Sequence, residues 1–180
     1  MNIDNPICAD QPILTTPRLV LRPLQRADQA LLELYAGDPR IAEGTRSIPH
    51  PLPPSATEHF IQRVTAPERT EDVWALDGSG FGTSTLVGLL SLKPLERQQS
   101  QIGYWVAPAF WNAGYASEAV RAVIMHNPQK SRTLFAEVFQ DNPASAHVLM
   151  QAGFDYLGDA EAYSVARRST VPTWTYIRRM

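Results

Sequence analysis

The alternation of apolar and polar residues begins to predict structure after a polar stretch that covers residues 1–16. In "RLVLRPL", Leu19 and Leu21 face one way while Val20 and Arg22 face the other, which is the period of a half-buried strand. The preceding residues show no such period, so we expect them to form an extended N-terminal lead.

The next segments change to helical spacing. "QRADQALLELYAG" is predicted to be a helix that ends at Gly37. "SIPHPLPPS" is too rich in proline for either element and is predicted to be a loop. Ser55 and Glu58 match the capping-box pattern S-x-x-E, so a short helix is expected to follow and to stop before Pro67. The residues expected to share the apolar face of the first helix are Ala27, Ala30, Leu31, Leu34 and Tyr35.

The middle of the chain predicts three strands, a helix and a fourth strand. The strands are "VWAL", "TLVGLLSLK" and "SQIGYWVA", the first two joined by the glycine-rich turn "DGSGFGTS". A helix is expected from about Gly114 to His126, followed by the strand "TLFAEVF". A crossover of this kind joins parallel strands, so the strands at 100–107 and 133–139 are predicted to be parallel. The buried face of the helix is expected to contain Ala116, Ala119, Val120, Val123 and Ile124.

The C-terminal part predicts one more helix and one or two strands. "NPASAHVLMQAGF" reads as a helix with Asn142 as its N-cap, Pro143 in its first turn and Gly153 as its terminator. "TWTYIRRM" closes the chain as a strand. No repeat or linker divides the sequence, so we expect one mixed α/β domain over residues 1–180, built on a single sheet.

Composition limits the classes of function. The net charge of −2 provides no basic footprint for nucleic acid or an anionic membrane, and we expect neither as a partner. Cys8 is the single cysteine, which leaves no internal disulfide, and the four histidines lack metal-ligand spacing, so no metal site is expected. The N-terminus lacks the pattern of a signal peptide, and no apolar run is long enough to span a membrane. We therefore expect a cytoplasmic protein.

The stretch "FWNAGYASEAV" places a glycine, Gly114, where a helix begins. The N-terminus of a helix has unpaired N–H groups and a partial positive charge, which together bind anions. A glycine lets a phosphate approach those groups because it has no Cβ. This favours a diphosphate site; alternatively, the glycine only eases a tight turn between strand and helix.

From Pro17 to Phe154 the chain resembles the GNAT superfamily of acyl-CoA N-acyltransferases, especially its ribosomal-protein N-acetyltransferase-like branch. The resemblance rests on three segments in order: "TPRLVLRPL", "GYWVAPAFWNAGYASEA", which resembles the motif [QR]-x-x-G-x-[GA], and "NPASAHVLMQAGF". It implies a mostly antiparallel sheet with a central parallel pair and helices on both faces. It also implies acetyl-CoA as the acyl donor. Trp111 departs from the motif at the position of its leading Gln or Arg, so we expect binding to depend on backbone donors. The residues that the resemblance assigns to the coenzyme are Val106, Asn112, Ala113, Gly114, Tyr115, Ala116, Ser117 and Asn142.

The resemblance also suggests residues for the chemistry. An acceptor ammonium must lose a proton before it attacks a thioester, and the departing thiolate must meet a donor. Glu137 lies five residues before Asn142, where some family members carry a glutamate base; alternatively it is an ordinary strand carboxylate. Ser145 resembles a serine proposed to protonate the thiolate, or else it only packs in the first turn of its helix. Many family members use a tyrosine where this chain has Leu149.

These observations predict an N-acetyltransferase that moves an acetyl group to a primary amine by direct attack in a ternary complex. Two alternatives are a coenzyme-binding module without turnover and a transferase that uses another donor, such as succinyl-CoA. The acceptor is a small molecule or a protein N-terminus, and the protein is a monomer or a homodimer. Tyr104 and Trp105 lie on a predicted strand and either pack in the core or line the acceptor pocket. Arg167 and Arg168 either face substrate or lie in a solvated loop.

Overall fold

The structure, a computed structural model, describes residues 10–180. The beginning of the predicted lead and Cys8 lie outside the described residues. The strands are β1 (Leu14–Thr15), β2 (Val20–Pro23), β3 (Asp72–Asp77), β4 (Gly88–Leu95), β5 (Gln99–Val106), β6 (Thr133–Phe139), β7 (Asp155–Ser164) and β8 (Ser169–Arg179). The α-helices are α1 (Gln29–Ala36), α2 (Pro39–Gly44), α3 (Ala56–Thr65), α4 (Tyr115–His126) and α5 (Pro143–Gln151).

All eight strands form one sheet, in the order β1-β2-β3-β4-β5-β6-β8-β7. Neighbouring strands are antiparallel except β5 and β6, which are parallel. This confirms the predicted fold class: a mixed α/β fold with a mostly antiparallel sheet and one central parallel pair. The pair is joined through α4, as the crossover pattern indicated.

The parallel pair is joined along only part of its length. The pairing runs from Gln99 with Thr133 to Gln101 with Phe135, and no further pairing between β5 and β6 occurs among the described residues. β5 continues to Val106 and β6 continues to Phe139. The carboxyl halves of the two strands therefore leave an opening in the middle of the sheet.

Helices cover both faces of the sheet. On one face, the apolar stripes of α4 and α5 pack on alternate residues of β2 to β6, in the larger core cluster. On the other face, Leu32 of α1 and Ile61 and Val64 of α3 pack on Val73, Ala75 and Leu89. The predicted stripe of α4 is confirmed: Ala119, Val120 and Val123 are buried, and Ala116 and Ile124 pack against the same cluster.

The apolar face predicted for α1 is only partly correct. Leu32 and Ala36 are the buried residues, whereas Leu34 is 67% exposed and Ala27 and Ala30 are also exposed. Leu31 and Tyr35 flank the buried stripe and are partly buried. The helix begins only at Gln29, after a short 3₁₀ turn, and its contact face is rotated by about one residue from the expected one.

Three local predictions in the N-terminal half also need correction. Ser55 does not form a capping box: its φ is 61°, and its side chain caps no backbone N–H. A turn bond from the Ala56 N–H to the Pro53 carbonyl, 3.2 Å long, holds the preceding residues in this conformation. Helix α2 was not predicted, although Asp38 caps it and Pro39 opens it. The two-residue strand β1 lies within the segment expected to be an extended lead.

Within residues 10–180, no helix combines the length and the apolar character that crossing a bilayer requires.

Candidate active site

The turn before α4 has the conformation that its glycine suggested. Gly114 has a φ of +83°, in the left-handed region where residues with a Cβ are strained. A Cβ built there would lie 3.3 Å from Nη2 of Arg18. The left-handed turn is therefore the reason that this position requires glycine.

A pocket of about 520 Å³ lies along this turn, on the face that carries α4 and α5. We call it the α4 pocket. Of the residues assigned to the coenzyme, the exposed Ala113 is absent from its lining. Asn142 caps α5 by accepting a hydrogen bond from the Ser145 N–H at 3.2 Å, as predicted. The predicted residues that line the α4 pocket are Val106, Asn112, Gly114, Tyr115, Ala116, Ser117 and Asn142.

The carbonyl of Val106 already has one partner. The indole Nε1 of Trp111 donates to it at 2.6 Å, which fixes the loop that leads into α4. A carbonyl oxygen has two lone pairs, so one remains for a ligand in the opening between β5 and β6.

Two arginines that sequence reasoning missed lie near the start of α4. Arg18 donates to Glu118 at 2.8 Å, and its guanidinium lies 4.6 Å from the centre of the Tyr115 ring. Arg40, which lines the α4 pocket, lies 5.6 Å from the Trp111 ring and is paired with Asp38. Although Trp111 occupies the motif's Gln or Arg position, positive charge reaches this region from other elements. Asp38 before Pro39 was a local sign of the helix that carries Arg40, but no pattern indicated where Arg40 would lie.

Ser145 is tied to Tyr104 on the same face of the sheet. The Ser145 hydroxyl donates to Oη of Tyr104 at 3.1 Å, and the Tyr104 hydroxyl donates to the Ser145 carbonyl at 2.8 Å. Burial raises the pKa of Tyr104, so the phenol is protonated at neutral pH. Leu149, by contrast, is fully buried in the core, so a tyrosine at that position would not reach the α4 pocket without displacing core side chains.

Glu137 points to the opposite face of the sheet. Its neighbours Ala136 and Val138 belong to the core under α4 and α5, and alternation along β6 places the Glu137 side chain on the α3 side. Arg46 Nη1 lies 3.2 Å from Glu137 Oε1, but this ion pair lacks hydrogen-bond geometry. Oε1 is buried and receives no hydrogen bond from the part of the chain that the structure describes.

A second pocket, of about 480 Å³, lies on this opposite face, and we call it the α3 pocket. Phe60 of α3, Trp105 of β5 and the segment that follows α2 contribute to its lining. Residues of the open halves of β5 and β6, including Tyr104 and Glu137, line both pockets. The opening in the sheet therefore connects the two pockets, with Glu137 at the junction.

Arg167 lies in the turn between β7 and β8, as one of the two expectations had it, and lines neither the α4 pocket nor the α3 pocket. It donates to both carboxylate oxygens of Asp141 and to the Glu43 carbonyl, at 2.9 Å for the latter, and lies over the Phe139 ring. The Arg167 guanidinium lowers the pKa of Asp141. The turn between β7 and β8 is thereby fastened to the end of α2.

The comparison with known families agrees with this geometry. The family model described as the acetyltransferase (GNAT) domain matches residues 18–155, well over half of the chain. The chain belongs to the GNAT acetyltransferase family. It is therefore a transferase enzyme, and the family transfers acyl groups from acetyl-CoA. This confirms the superfamily that the sequence motifs suggested.

Relatives of this GNAT protein differ in what they act on. The uncharacterized N-acetyltransferase YoaA of Bacillus subtilis is 27% identical over 92% of this chain and 95% of its own length. The structure of RimL, a ribosomal L7/L12 alpha-N-protein acetyltransferase in complex with coenzyme A, has a TM-score of 0.80 at 18% identity, over 94% of this chain and 98% of that one. Spermidine N-acetyltransferase from Vibrio cholerae, in complex with coenzyme A and spermine, has a TM-score of 0.74 at 15% identity, over 90% and 95%. These similarities show the fold, and the acceptor has to be inferred from the pocket of this chain.

Proposed function

We propose that this GNAT protein is an acetyl-CoA-dependent N-acetyltransferase that acts on a primary amine by direct attack in a ternary complex. The observation that supports this most directly is the opening between β5 and β6, because it connects a pocket at the start of α4 with a pocket under α3. Donor and acceptor can each enter from their own face and meet at the centre of the sheet.

The α4 pocket fits the donor. The turn at Gly114 has no Cβ in the path to the first backbone N–H groups of α4, which suits a diphosphate. Arg18 and Arg40 lie near that turn, over the rings of Tyr115 and Trp111, and each is ion-paired with a carboxylate. We assign the diphosphate to Asn112 to Ser117, the pantetheine arm to the free lone pair of the Val106 carbonyl, and contact with that arm to Asn142.

Bound acetyl-CoA supplies a thioester carbonyl and a thiolate leaving group. Glu137 takes one proton from the acceptor ammonium, directly or through a water molecule, so that the nitrogen can attack the carbonyl. The new carbon–nitrogen bond forms as the carbon–sulfur bond breaks, and the nitrogen releases its second proton to solvent. The Ser145 hydroxyl turns from Tyr104 and gives the sulfur a proton, which solvent returns to Ser145. The products are an amide and a thiol.

The ribosomal-protein N-acetyltransferase-like branch remains our assignment within the family. Its support is the segment "TPRLVLRPL" together with the order of the three motifs. The residues of that segment are absent from the lining of the α3 pocket, so this assignment does not define the acceptor.

A panel of primary amines with acetyl-CoA, read by release of the free thiol, tests the proposed function. We expect amine-dependent thiol release and an acetylated product of the matching mass. A protein that binds coenzyme A in calorimetry but releases thiol with no amine would instead be the coenzyme-binding module considered above. Transfer from succinyl-CoA but not from acetyl-CoA would show that the acyl donor is succinyl-CoA.

A further inference from the structure

Two polar atoms in the α3 pocket have no hydrogen-bond partner among residues 10–180: Oε1 of Glu137 and Oγ1 of Thr173. Thr173 is only 1% exposed, so water in bulk does not satisfy its hydroxyl. Buried polar atoms are nearly always hydrogen-bonded, so these two atoms mark positions where a ligand or an ordered water can bind.

The register of the sheet makes these two residues neighbours on adjacent strands. Glu137 pairs with Thr175 and Phe139 pairs with Thr173, so Glu137 and Thr173 are diagonal neighbours on one face of β6 and β8. Diagonal neighbours across an antiparallel pair are within reach of long side chains. A carboxylate and a hydroxyl side by side both accept hydrogen bonds, which suits an ammonium or amine nitrogen with several N–H donors.

The guanidinium of Arg46 places a positive charge beside Glu137. Arg46 is 3.2 Å from Glu137 Oε1 in an ion pair without hydrogen-bond geometry, and its side chain is 56% exposed at the pocket wall. Its guanidinium has donors for an anion, and carboxylates are bound well by arginine. The two charges together match a molecule that carries an ammonium and an anionic group close to each other.

The rest of the α3 pocket narrows the acceptor further. The charged residues of its lining are Arg46, Arg63, Lys93, Glu71 and Glu137. Arg63 is paired with Glu71 at 2.9 Å. A polyamine has several cations, and because one of the two lining carboxylates is already paired, such an acceptor is disfavoured. The apolar residues of the lining include Leu32, Ile48, Leu52, Phe60, Val73, Leu89 and Trp105.

We infer that the acceptor is a small zwitterion, an α-amino acid with an apolar side chain, whose nitrogen binds Glu137 and Thr173 and whose carboxylate binds Arg46. This inference rests on the proposed function, because it names the acceptor of the same reaction. The apolar side chain occupies the wall formed by Phe60 and Trp105. A protein N-terminus lacks the adjacent anion and would leave Arg46 without its second partner.

The test compares acceptors that carry an anionic group next to the amine with acceptors that do not. L-leucine and L-phenylalanine are compared with their amides, with the corresponding decarboxylated amines, with a tripeptide that begins with leucine, and with spermidine. We expect kcat/KM for the free amino acids to exceed that for the amides and amines by at least about tenfold, since one charge-assisted contact is lost in each. Calorimetry on the protein–coenzyme A complex should show the same order of affinity without turnover.

Two variants test the proposed roles of Arg46 and Thr173. Arg46→Gln should lower kcat/KM for leucine by a larger factor than kcat/KM for leucinamide, because only leucine has a carboxylate for Arg46 to bind. Thr173→Val keeps the shape and should raise KM for leucine and leucinamide alike, by about fivefold or more. Arg121→Gln and Thr170→Val are the matched controls at exposed positions outside both pockets and should behave like the parent.

The outcomes separate this inference from the function on which it rests. Equal or better transfer to the amides, the tripeptide or spermidine would contradict the inference that the acceptor is a zwitterion. The proposed acetyltransferase function would still stand. An undiminished preference for the free acid in Arg46→Gln overturns the role of Arg46. Coenzyme A binding with no transfer to any amine overturns both the acceptor and the proposed function.

Discussion

Single residues at this site combine a backbone requirement with a chemical one. Gly114 is needed for its left-handed turn, and we propose that it also leaves room for the diphosphate. Glu137 lies on a strand in an alternating pattern, but its Oε1 is left without a hydrogen bond at the junction of two pockets. Departures of this kind from ordinary packing are expected at functional sites.

Gly114→Val should weaken coenzyme A binding on the order of a hundredfold or more, because losing two charge-assisted hydrogen bonds costs about 1.5–3 kcal/mol each. The branched side chain is strained at a φ of +83° and would lie against Arg18. Isothermal calorimetry measures the effect. Gly80→Val is the control, since a Cβ there meets no atom within 4 Å. Unchanged affinity in a folded Gly114→Val protein would remove the diphosphate site from the proposal.

Glu137→Gln should lower the acetylation rate by about 10²–10⁴ near neutral pH, because the amide keeps the shape of the side chain but cannot accept the acceptor's proton. Coenzyme A affinity should change little, since the side chain points to the α3 face although Glu137 also borders the α4 pocket. Steady-state kinetics and calorimetry together check both statements. Glu161→Gln, exposed on β7, is the control. Full activity in Glu137→Gln would assign the carboxylate to structure alone.

Ser145→Ala should lower turnover by roughly 10- to 1000-fold with little change in acetyl-CoA affinity, as expected for a contact made mainly in the transition state. Tyr104→Phe removes the hydroxyl that orients Ser145, so its effect should be smaller, and the double variant should be no slower than Ser145→Ala. Rapid-quench and steady-state kinetics on the three proteins test this. Additive losses would show that Tyr104 and Ser145 act separately. No rescue by Leu149→Tyr is expected, because Leu149 is fully buried.

At the scale of elements, the sequence predicts best what is determined locally. The cap of α5 at Asn142 and the start of α4 after Gly114 follow from backbone chemistry within a few residues. The buried face of α1 does not follow from local sequence, because the elements that pack against a short helix decide which of its faces is buried. Arg18 is about a hundred residues from Gly114, and only the fold brings the two together. For the same reason no pattern indicated Arg46 or Thr173 beside Glu137.

Glu118 is the residue that joins the N-terminal segment to α4. It accepts hydrogen bonds from the Thr16 hydroxyl at 2.6 Å and from the Arg18 N–H at 2.7 Å, besides its ion pair with the Arg18 side chain. Burial raises the pKa of Glu118, but the hydrogen bonds from Thr16 and Arg18 outweigh it, so the pKa is lowered overall. The first strands are thereby held against the helix that begins at the proposed diphosphate site.

Glu118→Gln should reduce the free energy of unfolding at pH 7 by about 1 kcal/mol, since the pair with Arg18 is partly exposed. A lowered folded pKa means that the carboxylate stabilises the protein above its unfolded pKa of about 4.5. This stabilisation is lost as the pH falls through the folded pKa, so parent and variant should converge in acid. Urea unfolding at several pH values measures the difference. Glu33→Gln, exposed on α1, is the control, and a gap that widened below pH 4.5 would contradict the assignment.

For the whole molecule, the defining feature is a sheet with a pocket on each face and an opening between them. The pairing of β5 and β6 stops after Gln101 and Phe135, and Tyr104 and Glu137 line both pockets beyond that point. The sequence predicted the parallel pair but not the extent of its separation, because strand divergence depends on the helices packed on each side. The turn between β7 and β8 is held near the same opening, because Arg167 donates hydrogen bonds to Asp141 and to the Glu43 carbonyl.

Two connected pockets predict sequential kinetics. If donor and acceptor meet in the opening, both must be bound before the acyl group moves, so double-reciprocal plots at several fixed concentrations of the second substrate should intersect. A covalent acyl-enzyme would give parallel lines and a mass increase of the protein on incubation with acetyl-CoA alone. We expect intersecting lines and no mass increase. Cys8→Ser should have the same kinetics as the parent, since the predicted attack uses no thiol of this chain. If the parent gave parallel lines and Cys8→Ser gave intersecting lines, Cys8 would instead be the residue that carries the acyl group.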